Sequence, residues 1–208
     1  MSEPARPRPA DPTGPMLAAL RAGTREHHRA LERELDLPGR IRSRTELSTV
    51  LSAMLASWQP LEERLAAADW SGLSLDPRLG EAADLLRADL SALSTPAGAV
   101  THAAVPDLGS LADAVGARYV LLGSALGGRV IAPVVERRLG LAEGAATRFF
   151  RRSGRSPGRD WRDFRLALAA RDWSPADLAR ATTAARETFA FVGRAAAPIL
   201  AVSSARAG

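Results

Sequence analysis

The stretch that decides the fold is Tyr119-Val-Leu-Leu-Gly-Ser-Ala-Leu-Gly-Gly-Arg-Val-Ile131. It is too apolar for a surface segment, and the absence of proline before Pro133 favours a continuous helix. Each glycine inside a helix costs about 0.5–1 kcal/mol relative to alanine, so these glycines require a compensating reason. Gly123 and Gly127 are four residues apart and share one helix face, with Gly128 beside them. Such a face allows the backbone to approach either a neighbouring helix or a flat ligand.

Helical patterns also fill the rest of the chain, and no segment shows the alternation expected of a strand. Ser43 or Thr45 is suited to cap the second helix. Asp107 or Ser110 is suited to open the helix that carries the glycines. The predicted helices span residues 16–35, about 45 to 65, 77–93, about 110 to 139, 142–152, 160–171 and 175–200. This pattern predicts an all-α, single-domain helical bundle.

The limits of this domain follow from composition. Residues 1–15 hold five of the 14 prolines, which predicts a disordered arm. The helical domain is expected over residues 16–203, and residues 204–208 are expected to form a flexible tail. A chain of 208 residues without internal repeats is ample for one hydrophobic core.

Cysteine usage and hydropathy indicate the compartment. The chain has no cysteine, which excludes disulfides, thiolate metal sites and a cysteine nucleophile. No run of about 18 apolar residues is present, so no membrane span is expected. The N-terminus also lacks the apolar core of a signal peptide. We therefore expect a cytoplasmic protein without a membrane partner.

The chain is basic, with a net charge of +5, and all 28 of its basic residues are arginine. A basic surface is compatible with nucleic acid or with an acidic protein partner. The arginines are scattered among acidic residues, and the densest run, residues 148–159, contains glycine and proline but no nucleic-acid motif. We therefore expect a solvated surface and no nucleic-acid partner.

Histidine is the scarcest candidate ligand, with only His27, His28 and His102 in the chain. His102 lies in a predicted loop. His27 and His28 point about 100° apart on a helix, so only His28 shares the inward face with Thr24. Glu32 follows one turn later and could hold the far imidazole nitrogen. The alternatives are a hydrogen-bonded core histidine and an ordinary surface carboxylate.

Several other chemistries lack their motifs. The chain has no Glu-x-x-His motif for a di-iron bundle, no Gly-x-Ser-x-Gly elbow and no phosphate-binding glycine loop in a strand context. What remains is one inward histidine on an early helix and one helix with a glycine face. A flat cofactor bound by one histidine and pressed against glycine backbone fits both features, and haem is such a cofactor.

At this point two motifs resemble those of haem oxygenases. Leu20-Arg21-x-x-Thr24-x-x-x-His28-x-x-x-Glu32 resembles their proximal-helix motif, and Gly123-Ser124-Ala-Leu-Gly127-Gly128 resembles the bacterial form of their distal-helix motif. The resemblance covers roughly residues 16–200, with the motifs in order and about a hundred residues apart. Further residues at matching positions are Tyr119, Phe149, Phe150, Trp161, Phe164 and Phe189.

The resemblance implies a haem-oxygenase-like bundle that opens haem to biliverdin and releases carbon monoxide and ferrous iron. His28 would be the axial ligand of the iron. The catalytic distal wall would consist of Gly123, Ser124, Gly127 and Gly128. Leucine at position 127 or 128 is expected to lower haem oxidation sharply, or to divert it toward ferryl chemistry, and to leave folding intact. Other expected haem contacts are Arg21, Thr24, Glu32, Tyr119, Arg118, Phe164, Arg165 and Phe189, the arginines being candidates for the haem propionates.

The chain departs from the family pattern at two places. Ser124 stands where many relatives have aspartate, and Leu122 stands where bacterial relatives often have glutamate. Both changes concern proton delivery more than haem binding, so a non-catalytic protein for haem storage or transfer remains the alternative. The reaction also implies O2 and an external electron donor. For a basic protein an acidic ferredoxin or flavodoxin is suitable, and a bacteriophytochrome would be a suitable acceptor of biliverdin.

Overall fold

The computed structural model describes residues 14–76, 81–96, 103–152 and 156–205. These residues contain seven α-helices, joined by turns and loops, and no strand. The prediction of an all-α fold is confirmed. The helices are α1 (Gly14–Leu35), α2 (Arg44–Ala67), α3 (Ala82–Ala92), α4 (Leu111–Leu139), α5 (Arg148–Arg151), α6 (Pro157–Ala169) and α7 (Pro175–Ala205).

Local capping chemistry fixes the ends of the long helices. Ser43 caps α2 by accepting a hydrogen bond from the Glu46 amide, and Ser110 caps α4 in the same way from the Asp113 amide. Of each pair of predicted caps, the structure therefore selects the serine. Gly140 ends α4 in the left-handed region, at φ 61°, where a glycine has no steric penalty.

Helix boundaries differ from prediction at several places. α1 begins at Gly14, so the last two residues of the predicted arm are helical, while residues 1–13 lie outside the described part. α3 begins at Ala82 rather than at position 77; residues 77–80 are not described. α7 continues to Ala205, into the predicted tail.

The largest difference concerns the predicted helix 142–152, of which only α5, Arg148–Arg151, is helical. Gly144 and Ala146 have φ values of 74° and 59°, and such left-handed residues interrupt a helix. Conversely, α6 starts at Pro157, three residues earlier than predicted, because proline suits the first turn of a helix.

α7 is the centre of the bundle and packs against α1, α2 and α4. Its approach to α4 is close because α4 carries Gly116 at the crossing. A methyl group at Gly116 would collide with the backbone carbonyl of Ala181 and would lie 2.9 Å from the backbone nitrogen of Ala185. α7 contributes its own small residues to the contact, since Ala181 and Ala185 are both completely buried.

By length and composition alone, α4 is the one helix in the described part that could cross a membrane. In the structure it lies in the bundle, where α2, α5, α6 and α7 pack against it. The core helix of a soluble protein passes the same test of length and composition.

Candidate functional site

A cavity of about 570 Å³ lies between α1 and α4, with further walls from α2, α5, α6 and α7. Its volume falls in the range of small-molecule sites, roughly 300–1,000 Å³. The predicted site residues that the fold brings to this cavity are His28, Glu32, Tyr119, Gly123, Ser124, Gly127, Gly128 and Phe189. The two sequence motifs, a hundred residues apart, therefore face one space.

His28 is the histidine that α1 presents to the cavity, as the helical register predicted, and His27 is not among the lining residues. The Nδ1 atom of His28 lies 3.3 Å from a carboxylate oxygen of Glu32, one turn along the helix. Phe189 packs edge-on against the imidazole, with ring centroids 5.7 Å apart. Because Nδ1 is engaged, the imidazole can offer Nε2 to a metal, and Glu32 and Phe189 restrict its orientation. His102 lies outside the described residues.

The glycines of α4 divide into two kinds. A methyl group added to Gly123 or Gly127 would meet no atom within 4 Å, so this face of α4 is open to the cavity. A methyl group at Gly128 would lie 2.5 Å from the carbonyl oxygen of Phe150 and 3.1 Å from its Cα. The expectation that leucine at position 128 leaves folding intact is therefore wrong, because Gly128 also serves the packing of α4 on α5.

The two departures from the family pattern lie in different environments. Ser124 lines the cavity, and its hydroxyl donates a hydrogen bond of 3.0 Å to the Leu121 carbonyl of its own helix. Its oxygen therefore faces the cavity primarily as an acceptor. Leu122 is 5% exposed and belongs to the hydrophobic core rather than to the cavity wall.

Two other predicted haem contacts lie behind the wall. Phe164 is 1% exposed and packs on Trp161, which lines the cavity, with ring centroids 6.1 Å apart. Thr24 is buried, and its hydroxyl donates to the Leu20 carbonyl at 2.7 Å. Tyr119, in contrast, lines the cavity directly and tilts against Trp161.

None of the three predicted propionate partners lines the cavity. Arg21 is exposed on α1. Arg118 is buried, with its guanidinium 5.2 Å from the ring centroid of Trp70. The Nε atom of Arg165 is buried and has no hydrogen-bond partner among the described residues. Their assignment to haem carboxylates stays a prediction.

Two buried carboxylates fasten α5 and so fix the wall that faces Gly128. Asp89 of α3 is completely buried and accepts hydrogen bonds from the backbone amides of Arg148 and Phe149. Burial raises the pKa of Asp89, and these amides oppose the rise. Glu136 of α4 accepts two hydrogen bonds from Arg151, of 2.7 and 2.6 Å. The Arg151 hydrogen bonds are the main cause that lowers the pKa of Glu136 to about 2.

Sequence reasoning missed several residues of the wall, of which Met54, Trp58 and Arg152 are the most informative. Met54 and Trp58 have the same helical spacing as the other buried residues of α2, and this spacing does not distinguish a cavity wall from ordinary core. Arg152 follows α5 in a left-handed conformation, and nothing in the local sequence predicts that an arginine there would be buried.

Comparisons with known proteins agree with this fold. The family model described as "Heme oxygenase" matches residues 15–196. The heme oxygenase of Neisseria meningitidis, in its NO- and CO-bound structures, is 19% identical, with a TM-score of 0.76, and the match covers 89% of this chain and 92% of that chain. The heme oxygenase of Leptospira interrogans is also 19% identical, with a TM-score of 0.65 and 88% and 98% covered. No individually curated protein matches significantly.

Proposed function

The chain belongs to the haem oxygenase family, and we propose that the cavity between α1 and α4 is its haem site, with His28 as the axial ligand. The family's reaction is the oxidative opening of haem to biliverdin, with release of carbon monoxide and ferrous iron. Membership of the family makes this the activity of the protein. Haem is therefore the substrate, and the reaction consumes O2 and electrons from outside the protein.

One observation carries the proposal: an imidazole braced by a carboxylate faces, within one apolar cavity, a helix that has no side chain at Gly123 and Gly127. A structural histidine would be expected to have its hydrogen bonds satisfied in the core. The side chain of His28 is instead 54% exposed, because it borders the open cavity rather than packed core. Haem fits this arrangement, because its iron can be bound by one imidazole nitrogen and its flat ring can lie against a helix that has no side chains at that place.

The residues would divide the work as follows. Glu32 holds the Nδ1 proton of His28, so that Nε2 carries the lone pair for the iron. Gly123 and Gly127 would allow the helix backbone to approach the bound haem, because neither carries a side chain on the face that is open to the cavity. Ser124 could accept a hydrogen bond from water in the cavity, since its own proton is donated to the Leu121 carbonyl. The bound haem supplies the iron that activates O2 and the ring that is oxidised.

The partners follow from charge and chemistry. With a net charge of +5, the chain is suited to an acidic electron donor such as a ferredoxin or flavodoxin. We place the protein in the cytoplasm, where reduced donors of this kind are found. A bacteriophytochrome is the proposed acceptor if biliverdin is made as a chromophore.

The test is turnover of the ferric haem complex in air, with ascorbate or with a ferredoxin and its reductase. The Soret band should disappear, absorbance should rise in the red as biliverdin forms, and added myoglobin should trap carbon monoxide. Catalase must be present, so that free peroxide does not bleach the haem. His28→Ala should not turn over, whereas His27→Ala should do so normally.

A haem carrier would give a different result under the same conditions. It would return to the ferric state with its haem intact after many equivalents of reductant, and no carbon monoxide would be trapped. That outcome would contradict the oxygenase activity and would leave haem binding standing.

A further inference from the structure

Arg152 is a buried cation on the wall of the cavity, immediately after α5. The residue is 6% exposed. Its guanidinium carbon lies 4.1 Å from the ring centroid of Trp58 and 4.3 Å from that of Phe149, and both aromatic residues also line the cavity. Aromatic rings attract the faces of a guanidinium but do not neutralise its charge, and they leave its N–H groups available.

The charge of Arg152 has no close partner in the described part of the chain, where no carboxylate lies within 4.0 Å of it. Glu62 and Asp160 act on it from farther away, and Glu62 already accepts the backbone amides of Ala82 and Ala83. Burial lowers the pKa of Arg152 to about 10, so the side chain is still protonated at neutral pH. A buried charge without a partner is costly, which indicates that a ligand completes it.

The backbone conformation of Arg152 is also unusual. Arg152 adopts φ 52° and ψ 51°, a left-handed conformation in which glycine or asparagine would be less strained. Asp89 and Glu136 hold α5 firmly enough to maintain it. The fold thus places on the cavity wall a cation that has a left-handed backbone and no carboxylate partner among the described residues.

Arg152 and the proposed iron ligand come from different parts of the cavity wall. His28 and Glu32 are on α1, whereas Arg152 follows α5, which packs on α4 where Phe150 meets Gly128. Among the described residues that line the cavity, Arg152 has the only guanidinium. Its charge therefore acts on whatever occupies the cavity.

We propose that Arg152 is an anion-binding residue of this cavity, which would donate hydrogen bonds to a small anionic ligand of the bound haem. This rests on the proposed function, since it requires haem in the cavity. A haem carboxylate offers the same chemistry from another source. Trp58 and Phe149, which flank the guanidinium, are only 4% and 5% exposed, so an anion of either source would be held in a largely dry part of the cavity. The comparison of hemin with hemin dimethyl ester below distinguishes the two sources.

The test is ligand binding to the haem complex, measured by absorbance. Azide is titrated into the ferric complex, and carbon monoxide, a neutral ligand, into the ferrous complex. In Arg152→Gln the azide affinity should fall roughly tenfold or more, as expected for loss of a hydrogen bond from a charged group. Arg152→Lys should recover most of it, and carbon monoxide affinity should change little. The matched control is Arg159→Gln, since Arg159 is 78% exposed and does not line the cavity.

A second variant guards against misfolding. Arg152→Asn also removes the charge and suits the left-handed backbone, so it should keep the fold and show the same loss of azide affinity. Unchanged azide affinity in either folded variant would overturn the proposal. Equal losses for azide and carbon monoxide would also overturn it, because they would indicate a purely structural role.

Hemin binding distinguishes a failure of the role of Arg152 from a failure of the proposed haem site. If Arg152→Gln weakens the binding of hemin but not of hemin dimethyl ester, the partner is a haem carboxylate, and the small-anion proposal is wrong. If the unmodified protein binds no hemin, the proposed function itself fails. A hemin complex that depends on His28 but ignores Arg152 would contradict the inference alone.

Discussion

Gly127 and Gly128 are neighbours on α4, yet they are glycines for opposite reasons. At Gly127 a side chain would enter open cavity, whereas at Gly128 it would meet the backbone of Phe150 at 2.5 Å. Gly116, nearer the start of the same helix, resembles Gly128, because the backbone of α7 occupies the space that a side chain would need. One helix therefore uses glycine both for close packing of the bundle and to keep a cavity wall free of side chains.

The largest effect is expected at the packed glycine. Gly128→Leu should lower the free energy of unfolding by about 3 kcal/mol, the upper end of the usual range for overpacking, because Asp89 and Glu136 hold α5 and so restrict movement of the Phe150 backbone. Chemical denaturation at neutral pH measures this. A stability equal to that of the unmodified protein would show that α5 can shift, and would remove the distinction between the two glycines.

The open glycine should lose function instead. Gly127→Leu should unfold at the same denaturant concentration as the unmodified protein or a higher one, since leucine favours a helix more than glycine does. Its affinity for hemin should fall about a hundredfold, ~2.8 kcal/mol, because the side chain fills the space of the ring. Hemin titration and turnover check this. Full turnover in this variant would mean that the glycine face does not form the haem wall.

The contrast between these glycines also shows what sequence can predict. The ends of α4 could be predicted because Ser110 and Gly140 act locally, and the inward position of His28 follows from helical period alone. Spacing placed Gly127 and Gly128 beside each other, but only the position of Phe150, which is remote in sequence, distinguishes them.

Burial of Arg152 could not be predicted for the same reason. The short α5 is held by Asp89, about sixty residues earlier, and by Glu136. No local pattern around Arg152 carries that information. The sequence therefore predicts the site residues that follow helical periodicity, and misses those that distant contacts position.

Removing the Glu136–Arg151 ion pair, which holds α5 against α4, should lower the stability of the protein. Glu136→Gln should destabilise the protein by about 2 kcal/mol at neutral pH, because it loses a charged hydrogen-bonded pair with Arg151. The pKa of Glu136 is lowered from 4.5 to about 2 in the folded protein, so the carboxylate stabilises the fold fully above pH 4.5. That contribution disappears as the pH falls towards 2.

The pH dependence provides the control for this variant. The difference in unfolding free energy between the unmodified protein and Glu136→Gln should shrink below pH 4.5. A difference independent of pH down to 2.5 would contradict the assigned pKa shift. Arg87→Gln is a matched surface change, since the Asp84–Arg87 pair is exposed and should contribute little.

The smallest effect is expected from a methyl group at the open face. Gly127→Ala should stabilise the protein by about 0.5–1 kcal/mol, the helix preference of alanine over glycine, because the methyl group meets no atom within 4 Å. Gly128→Ala, with the same chemical change one residue later, should destabilise it. Thermal unfolding of the two variants side by side measures the sign. Two changes of the same sign would contradict the division into open and packed glycines.

The central claim is that His28 on α1 and the bare face of α4 are the two walls of one haem site, and hemin titration tests it most directly. The unmodified protein and His27→Ala should bind hemin at about one to one and show the Soret band of a histidine-ligated haem. His28→Ala should lose that spectrum and regain it with added imidazole, which can enter the space that the side chain leaves. A histidine-ligated spectrum in His28→Ala without imidazole, or its loss in His27→Ala, would contradict the account.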